Sequence, residues 1–316
     1  MSDRSRLTGA DPPPPSSPGL LECVPNVSEG RDPRVIHALA EAVRAGGADL
    51  LDVHSDVDHH RSVFTFLGPG AVVERSALEL ARAAIALVDL RRHHGAHPRV
   101  GAVDVVPFIP LRGSSMDDAV RAAHRMGATL AAECAVPVFF YGEAARRPER
   151  RELPALRRGG FEQLGERLGR AEGHPDAGLP RPHPTAGACI VGARRLLIAF
   201  NAVLNLADVA VARAIASAIR TSSGGLAGVQ AIGVWLASRK LAQVSLNLLD
   251  HRLTSPRAAA ERIAAEATRH GVAVREHELV GCAPASAFAD WPADLAPITG
   301  LKPTQLLAPA LLSSNS

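Results

Sequence analysis

The stretch that decides the fold is VQAIGVWL (Val229–Leu236), ASRK (Ala237–Lys240) and LAQVSLNL (Leu241–Leu248). Two apolar runs of strand length, parted by a short polar segment, predict a β-hairpin. Upstream, Ala188 to Asn201 reads as a strand, Asp208 to Ile219 as an Ala-rich helix and Ser222 to Gly228 as a flexible loop. Downstream, Ser255 caps a helix reaching His270, with Pro256 at its first position, where a missing N–H costs nothing. Val272 to Val280 is the last strand. The order is strand, helix, paired strands, helix, strand.

The first half repeats that order without visible identity. Leu20 to Val24 is a strand that leaves through Pro25-Asn26, and Asp32 with Pro33 opens a helix stopped by Gly46-Gly47. Leu50 to Val53 and Ser62 to Leu67 are paired strands around a polar segment, Ser55 to Arg61. A helix over Ala71 to Val88 and a strand over Val103 to Pro110 complete the unit, followed by a helix from Asp117 to Cys134 and a strand over Val136 to Tyr141. Leu153 to Leu168 reads as helical and Arg-rich, and Gly173 to Gly187, dense in proline and glycine, as a linker. The fold class expected is α+β: two tandem ferredoxin-like (split βαβ) subdomains, each an α/β sandwich. The divisions expected are a Pro-rich, disordered tail over 1–19, an N-terminal subdomain over 20–182 and a C-terminal one over 183–316.

Composition narrows the function classes. At 316 residues with a net charge of +3, the chain has length for about two domains and no strong electrostatic bias. Aromatic residues are only 3% and Lys240 and Lys302 are the only lysines, so a stacking platform for nucleic acid is not indicated. Cys23, Cys134, Cys189 and Cys282 are far apart with no CxxC pair, which argues against a zinc knuckle and for free thiols in a reducing compartment. No run is apolar enough to span a membrane and the N-terminus has no signal-peptide core, so a cytoplasmic location is expected.

Histidine carries the chemistry, because its imidazole both takes and gives a proton near neutral pH. One group mixes His54, His59 and His60 with Asp52, Asp56, Asp58 and Arg61. The other is HHGAHPR, His93 to Arg99. Surface histidines at a helix end explain His93 and His94 well. They explain His97 less well, because it lies between Gly95 and Pro98, in a turn that fixes its backbone. A metal site has the i, i+4 spacing of His93 and His97 in its favour, but Gly95 and Pro98 interrupt the helix that spacing needs, and no metal is expected. Cys23 has no activating neighbour in the sequence, and Ser222 to Gly225 lacks the Gly-Lys-Ser/Thr ending of a phosphate loop.

The segment ECVPNVSEG, Glu22 to Gly30, resembles the opening motif of the glutamate formiminotransferases. Asp52 to Phe66, His93 to Pro110, Tyr141 to Ala145, His183 to Phe200 and Ala242 to Asn247 are similar to that family in the same order, from about Leu20 to the C-terminus. The resemblance implies transfer of a formimino group from N-formimino-L-glutamate to N5 of tetrahydrofolate, in histidine degradation. It implies a homodimer and a folate with or without a polyglutamate tail, and no metal; the chain is expected to end too early for a cyclodeaminase, so a separate one is expected downstream. By position it makes His97 the catalytic base, and Gly178, Leu179, Pro180, Arg181, Pro182, His183, Pro184, Thr185, Ala186 and Gly187 the folate-binding stretch. Ala96 stands where the family usually has Glu, and His54 where vertebrate members have an Asp. The chemistry also suggests carboxylates for a cationic formimino group, Asp56 or Asp104, and guanidiniums for glutamate carboxylates, Arg61, Arg99 or Arg112, with Asn26 as a further contact. Solvated surface charge is the competing reading for each. Two other functions fit the same residues: a related transferase using formyl-glutamate or formimino-glycine, and a folate-binding protein without turnover.

Overall fold

The computed structural model describes residues 18–312. The proline-rich tail therefore lies almost wholly outside the described residues. Both halves show the strand, helix, paired strands, helix, strand order. In the first, β1 (Leu20–Cys23) and β2 (Asn26–Val27) are one strand broken at Val24-Pro25, followed by α1 (Pro33–Ala45), β3 (Asp49–Asp56), β4 (Arg61–Pro69), α2 (Gly70–Leu87) and β5 (Val103–Pro110). Strand order runs β3, β4, β1 with β2, β5, and then α3 (Met116–Cys134) returns the chain to add β7 (Cys189–Ala193) and β6 (Val138–Gly142), in parallel, beyond β5. Local signals set the helix starts: Asp32 accepts from the Arg34 N–H ahead of Pro33, and Ser115 with Asp118 forms a reciprocal capping box.

The second sheet, in the order β11-β8-β10-β9, is wholly antiparallel. It comprises β8 (Ile198–Leu204), β9 (Val229–Leu236), β10 (Leu241–Leu248) and β11 (Val274–Val280), with helices Val209–Ile219 and Pro256–Arg269 packed against it. The described residues thus form a mixed α+β structure with two main sheets and one small parallel pair, Ala283–Pro284 with Leu306–Leu307.

Three expectations need correction. The run Ala188–Asn201 is two strands in different sheets, because Arg194-Arg195 interrupts its apolar pattern and the chain crosses there. The first sheet accordingly extends past 182/183 to include β7. Leu153–Leu168 is two short helices, α4 (Leu153–Leu156) and α5 (Leu164–Leu168), parted by Gly159 and Gly160 at φ +77° and +60°. The linker Gly173–Gly187 packs along the first sheet, with Ala177 bridging to Val138 and Gly187 to Gly101.

The two faces of the first sheet have different fates. One buries Cys23, Phe64, Phe66 and Phe108 under α1, α2 and α3. On the other, α4 and α5 cover Val105, Phe139 and Ile190, while Leu67, Ile109 and Leu111 pack into the core of the second half. Between those two coverings this face stays open.

Candidate active site

His97 is delivered by a loop, and the loop is held at several points. Gly95 lies so close to the β3–β4 turn that a Cβ there would be 2.2 Å from the His59 carbonyl oxygen. The Ala96 N–H donates to the Asp58 carbonyl at 3.0 Å. The His93 ring stacks on His60 with centroids 4.1 Å apart. Arg99 Nε donates to His93 Nδ1 at 2.9 Å, so the His93 proton is on Nε2, where it donates to the His60 carbonyl at 2.7 Å. Burial, with Arg99 close by, brings the His93 pKa down to about 4. Beyond the turn, the Val100 N–H donates to Asp104 Oδ1 at 2.8 Å.

These ties leave the His97 ring in a defined state. Its Nδ1 is 2.8 Å from the Pro98 carbonyl, which can only accept, so the proton sits on Nδ1 and Nε2 carries the lone pair. Burial, then the cations Arg61 and Arg157, hold His97 well below the ordinary histidine pKa. His59 lies next to it, ring centroids 6.0 Å apart, with its Nε2 buried and unpartnered among the described residues.

His97 opens onto a cavity of about 1070 Å³ on the uncovered face of the first sheet. The first half contributes Glu22, Asn26, Arg61 and Tyr141, the end of α4 contributes Arg157, and Arg194 comes from the crossover. The second sheet closes the opposite side with Asn201, Ser245, Asn247 and Gln230. Pairing explains that amide-rich wall: Ser245 faces Asn201 and Asn247 faces Gln230 across the ladder, so all share one face. Arg61 makes no hydrogen bond or ion pair among the described residues, and burial lowers its pKa to about 10. It is a desolvated cation facing space.

The structure brings together His97, Asn26 and Arg61, and separates the other residues singled out from sequence. Asp104 is 2% exposed, with Oδ1 on the Val100 N–H and Oδ2 on Arg157 at 2.6 Å. Asp56 Oδ1 accepts from the Asp58 and His59 N–H groups and so shapes the β3–β4 turn. Arg99 is committed to His93 and Glu162, and Arg112 is an exposed residue beyond β5. Residues 178–187 do not line the large cavity. Gly178 to Arg181 are exposed, Pro182, His183 and Pro184 line a second cleft of about 510 Å³ with His93 and Phe161, and Ala186 and Gly187 hydrogen-bond to the chain just after His97.

A family model, the formiminotransferase domain N-terminal subdomain, matches residues 20–194, and the model for the formiminotransferase domain matches residues 199–293. The chain belongs to the formiminotransferase family. A glutamate formimidoyltransferase from Streptococcus pyogenes serotype M1 is 41% identical over 272 residues, 86% of this chain and 91% of that one. A protein of the same name from Thermoplasma acidophilum is 40% identical over 86% of this chain and 90% of its own length. The formimidoyltransferase-cyclodeaminase of Sus scrofa is 46% identical over 86% of this chain, which spans about half (51%) of that longer protein. The boundary between the two formiminotransferase matches, 194/199, coincides with the crossover between β7 and β8.

Glu22, Arg157 and Arg194 in this formiminotransferase cavity escaped the sequence reading. Glu22 had a signal, a lone carboxylate inside the apolar strand LLECV. Arg157 and Arg194 had none, because each is one arginine among many and only the fold turns it inward.

Proposed function

We propose that the cavity transfers the formimino group of N-formimino-L-glutamate to N5 of tetrahydrofolate, yielding 5-formimidoyltetrahydrofolate and L-glutamate. The observation that carries this reading is His97: one neutral imidazole, its tautomer fixed by Pro98, presenting Nε2 beside two guanidiniums. N5 attacks the amidine carbon, and a C–N bond forms as the C=N π electrons move onto nitrogen. His97 Nε2 takes the N5 proton and gives it to the departing glutamate nitrogen as the second C–N bond breaks. Such acid–base transfer contributes about 10²- to 10⁴-fold.

Arg61 and Arg157 have a second effect. Both depress the basicity of His97 in the free protein. A substrate carboxylate bound to Arg61 offsets that positive field and raises the His97 pKa, so the base gains strength when the donor is in place. Asn26 and the Asn201, Ser245 and Asn247 wall supply polar contacts for the bound substrates. The Gly178–Gly187 stretch backs the His97 loop, and Pro182 to Pro184 in its outer cleft are assigned to the folate tail. The finer fold reading, two ferredoxin-like units, is supported by the second sheet's order, in which each strand neighbours the one that split βαβ winding requires. A cytoplasmic homodimer completes the proposal, and light scattering tests its assembly.

The deciding experiment follows acid conversion of formimidoyl-tetrahydrofolate to the absorbing methenyl form, with wild type and His97→Ala compared. Turnover in the wild type, lost by about 10²-fold or more in the variant with folate binding retained, is the expected result. Wild-type folate binding without turnover on this donor, or on formyl-glutamate or formimino-glycine, overturns it.

A further inference from the structure

The edges of the two main sheets are β3, β6, β9 and β11, and this chain itself closes three of them. Beyond β3, Lys302 and Gln305 reach Asp52, and Asp49 and Asp56 add charge. Beyond β6, the Val138 N–H donates to the Ala177 carbonyl, the Phe140 N–H to the Asp176 carboxylate and the Gly142 N–H to the Arg151 carbonyl. Beyond β11, the His277 N–H donates to the Pro297 carbonyl at 2.7 Å, and the His277 carbonyl accepts from the Thr299 N–H at 2.8 Å. Charge and covering keep a sheet edge from pairing with another chain. β9 has neither. Its sequence, VQAIGVWL, contains no charged residue and no proline, and β10 is its one paired strand among the described residues.

The ladder fixes which groups of β9 are free. The Leu249 N–H donates to the Gly228 carbonyl at 2.8 Å, so the even-numbered residues of β9 bond to β10 and the odd-numbered ones turn their N–H and C=O groups outward. Val229 obeys this, its N–H reaching Thr221 Oγ1 at 2.9 Å. Ala231, Gly233 and Trp235 come next, and no described residue hydrogen-bonds to their outward backbone groups. Ile232, between them, is 46% exposed.

These features select the partner. The strand gives a charged peptide nothing to pair with, but it is complementary to itself. Antiparallel pairing centred on Gly233 sets Ala231 opposite Trp235 of a second copy, so that each free N–H meets a free carbonyl, about six bonds in all. On one face the large indole lies against the small alanine, and on the other Ile232 meets Val234. The same register carries the basic turn after each β9, Arg239-Lys240, toward the Gly228 end of the other, where Asp250 lies.

We infer that β9 is a homodimer interface, through which two copies join their four-stranded second sheets edge to edge about a twofold axis at Gly233. This rests on the homodimer reading above and gives it a surface. Because Gln230 and Ile232 also line the cavity, the join braces the second wall of each active site.

The test combines light scattering at micromolar protein with residue-level hydrogen exchange. Wild type has twice the chain mass, and its Ala231, Gly233 and Trp235 amides, which have no acceptor within one chain, exchange at least about tenfold more slowly than exposed amides. Ala231→Pro removes one outward donor, and Trp235→Lys puts a charge on the edge; each gives a monomer with unchanged circular dichroism. A dimer that survives both substitutions, or free exchange of the three amides in a wild-type dimer, overturns the inference and leaves the homodimer reading standing on another surface. A monomeric wild type overturns both. The wild-type exchange decides the matter even if neither variant folds.

Discussion

His97 and Arg61 are coupled through charge, and that coupling is measurable. Burial is the larger cause of the depressed His97 pKa, and the Arg61 cation is the next. The proposed mechanism needs the neutral imidazole, so on that mechanism activity falls as pH drops through the His97 pKa. Replacing Arg61 by Met removes a repelling cation, raises that pKa and moves the acid limb of kcat/KM to higher pH. A limb that stays in place or moves to lower pH refutes the coupling. The same variant raises the KM for the donor, because the carboxylate loses a charge-assisted partner worth about 1.5–3 kcal/mol. That His97 is the candidate base was legible from its turn and from its family resemblance, and the fold places it on the cavity. The committed state of Asp104 was not: a carboxylate in a strand gives no sign of whether its partner is a substrate or Arg157.

At the scale of elements, the His93–Arg99 loop acts as a rigid bracket without regular structure. Gly95 is its tightest point, in van der Waals conflict with any side chain larger than hydrogen. Its φ is not positive, so the requirement is space, and the atoms in the way belong to the His59 backbone. Gly95→Ala therefore displaces the loop from the β3–β4 turn. We expect a loss of about 1–3 kcal/mol in urea unfolding and a fall in kcat larger than any change in folate KM. A variant with wild-type kcat shows that the loop absorbs the methyl group and that His97 does not depend on this contact. Helix starts were readable from Asp32-Pro33 and Ser255-Pro256, because capping is local chemistry. The break at Arg194-Arg195 was not, since β7 and β8 are alike in pattern and differ only in which sheet receives them.

Across the molecule, the cavity exists because two sheets are held face to face. Asp58 in the β3–β4 turn accepts from Ser238 N and Oγ in the β9–β10 turn at 2.8 and 2.7 Å. At a second point, the segment after β11 crosses back and pairs Lys302 with Asp52, whose side chain is 1% exposed. Lys302→Met leaves that carboxylate with only the longer Gln305 contact at 3.4 Å. Because Lys302 itself is half-exposed, the expected cost is at the lower end for a buried charge, about 1–3 kcal/mol, read from the denaturation midpoint. An unchanged midpoint shows that apolar packing alone holds the halves together.

By itself the amino-acid sequence determined most of the elements and their order, and the family, and it singled out His97 as the candidate base. Those depend on neighbours along the chain: alternation in VQAIGVWL, caps at Asp32 and Ser255, and the Gly-Ala-His-Pro turn. Tertiary structure alone decided which charged side chains face one another. Glu22 and Arg61 are parts of strands that look ordinary in one dimension, yet the sheet leaves one face of each uncovered and sets the second half against it. Burial, and with it the shifted pKa values of His97, Arg61 and Glu22, arises from surfaces far apart in sequence, which no local pattern encodes.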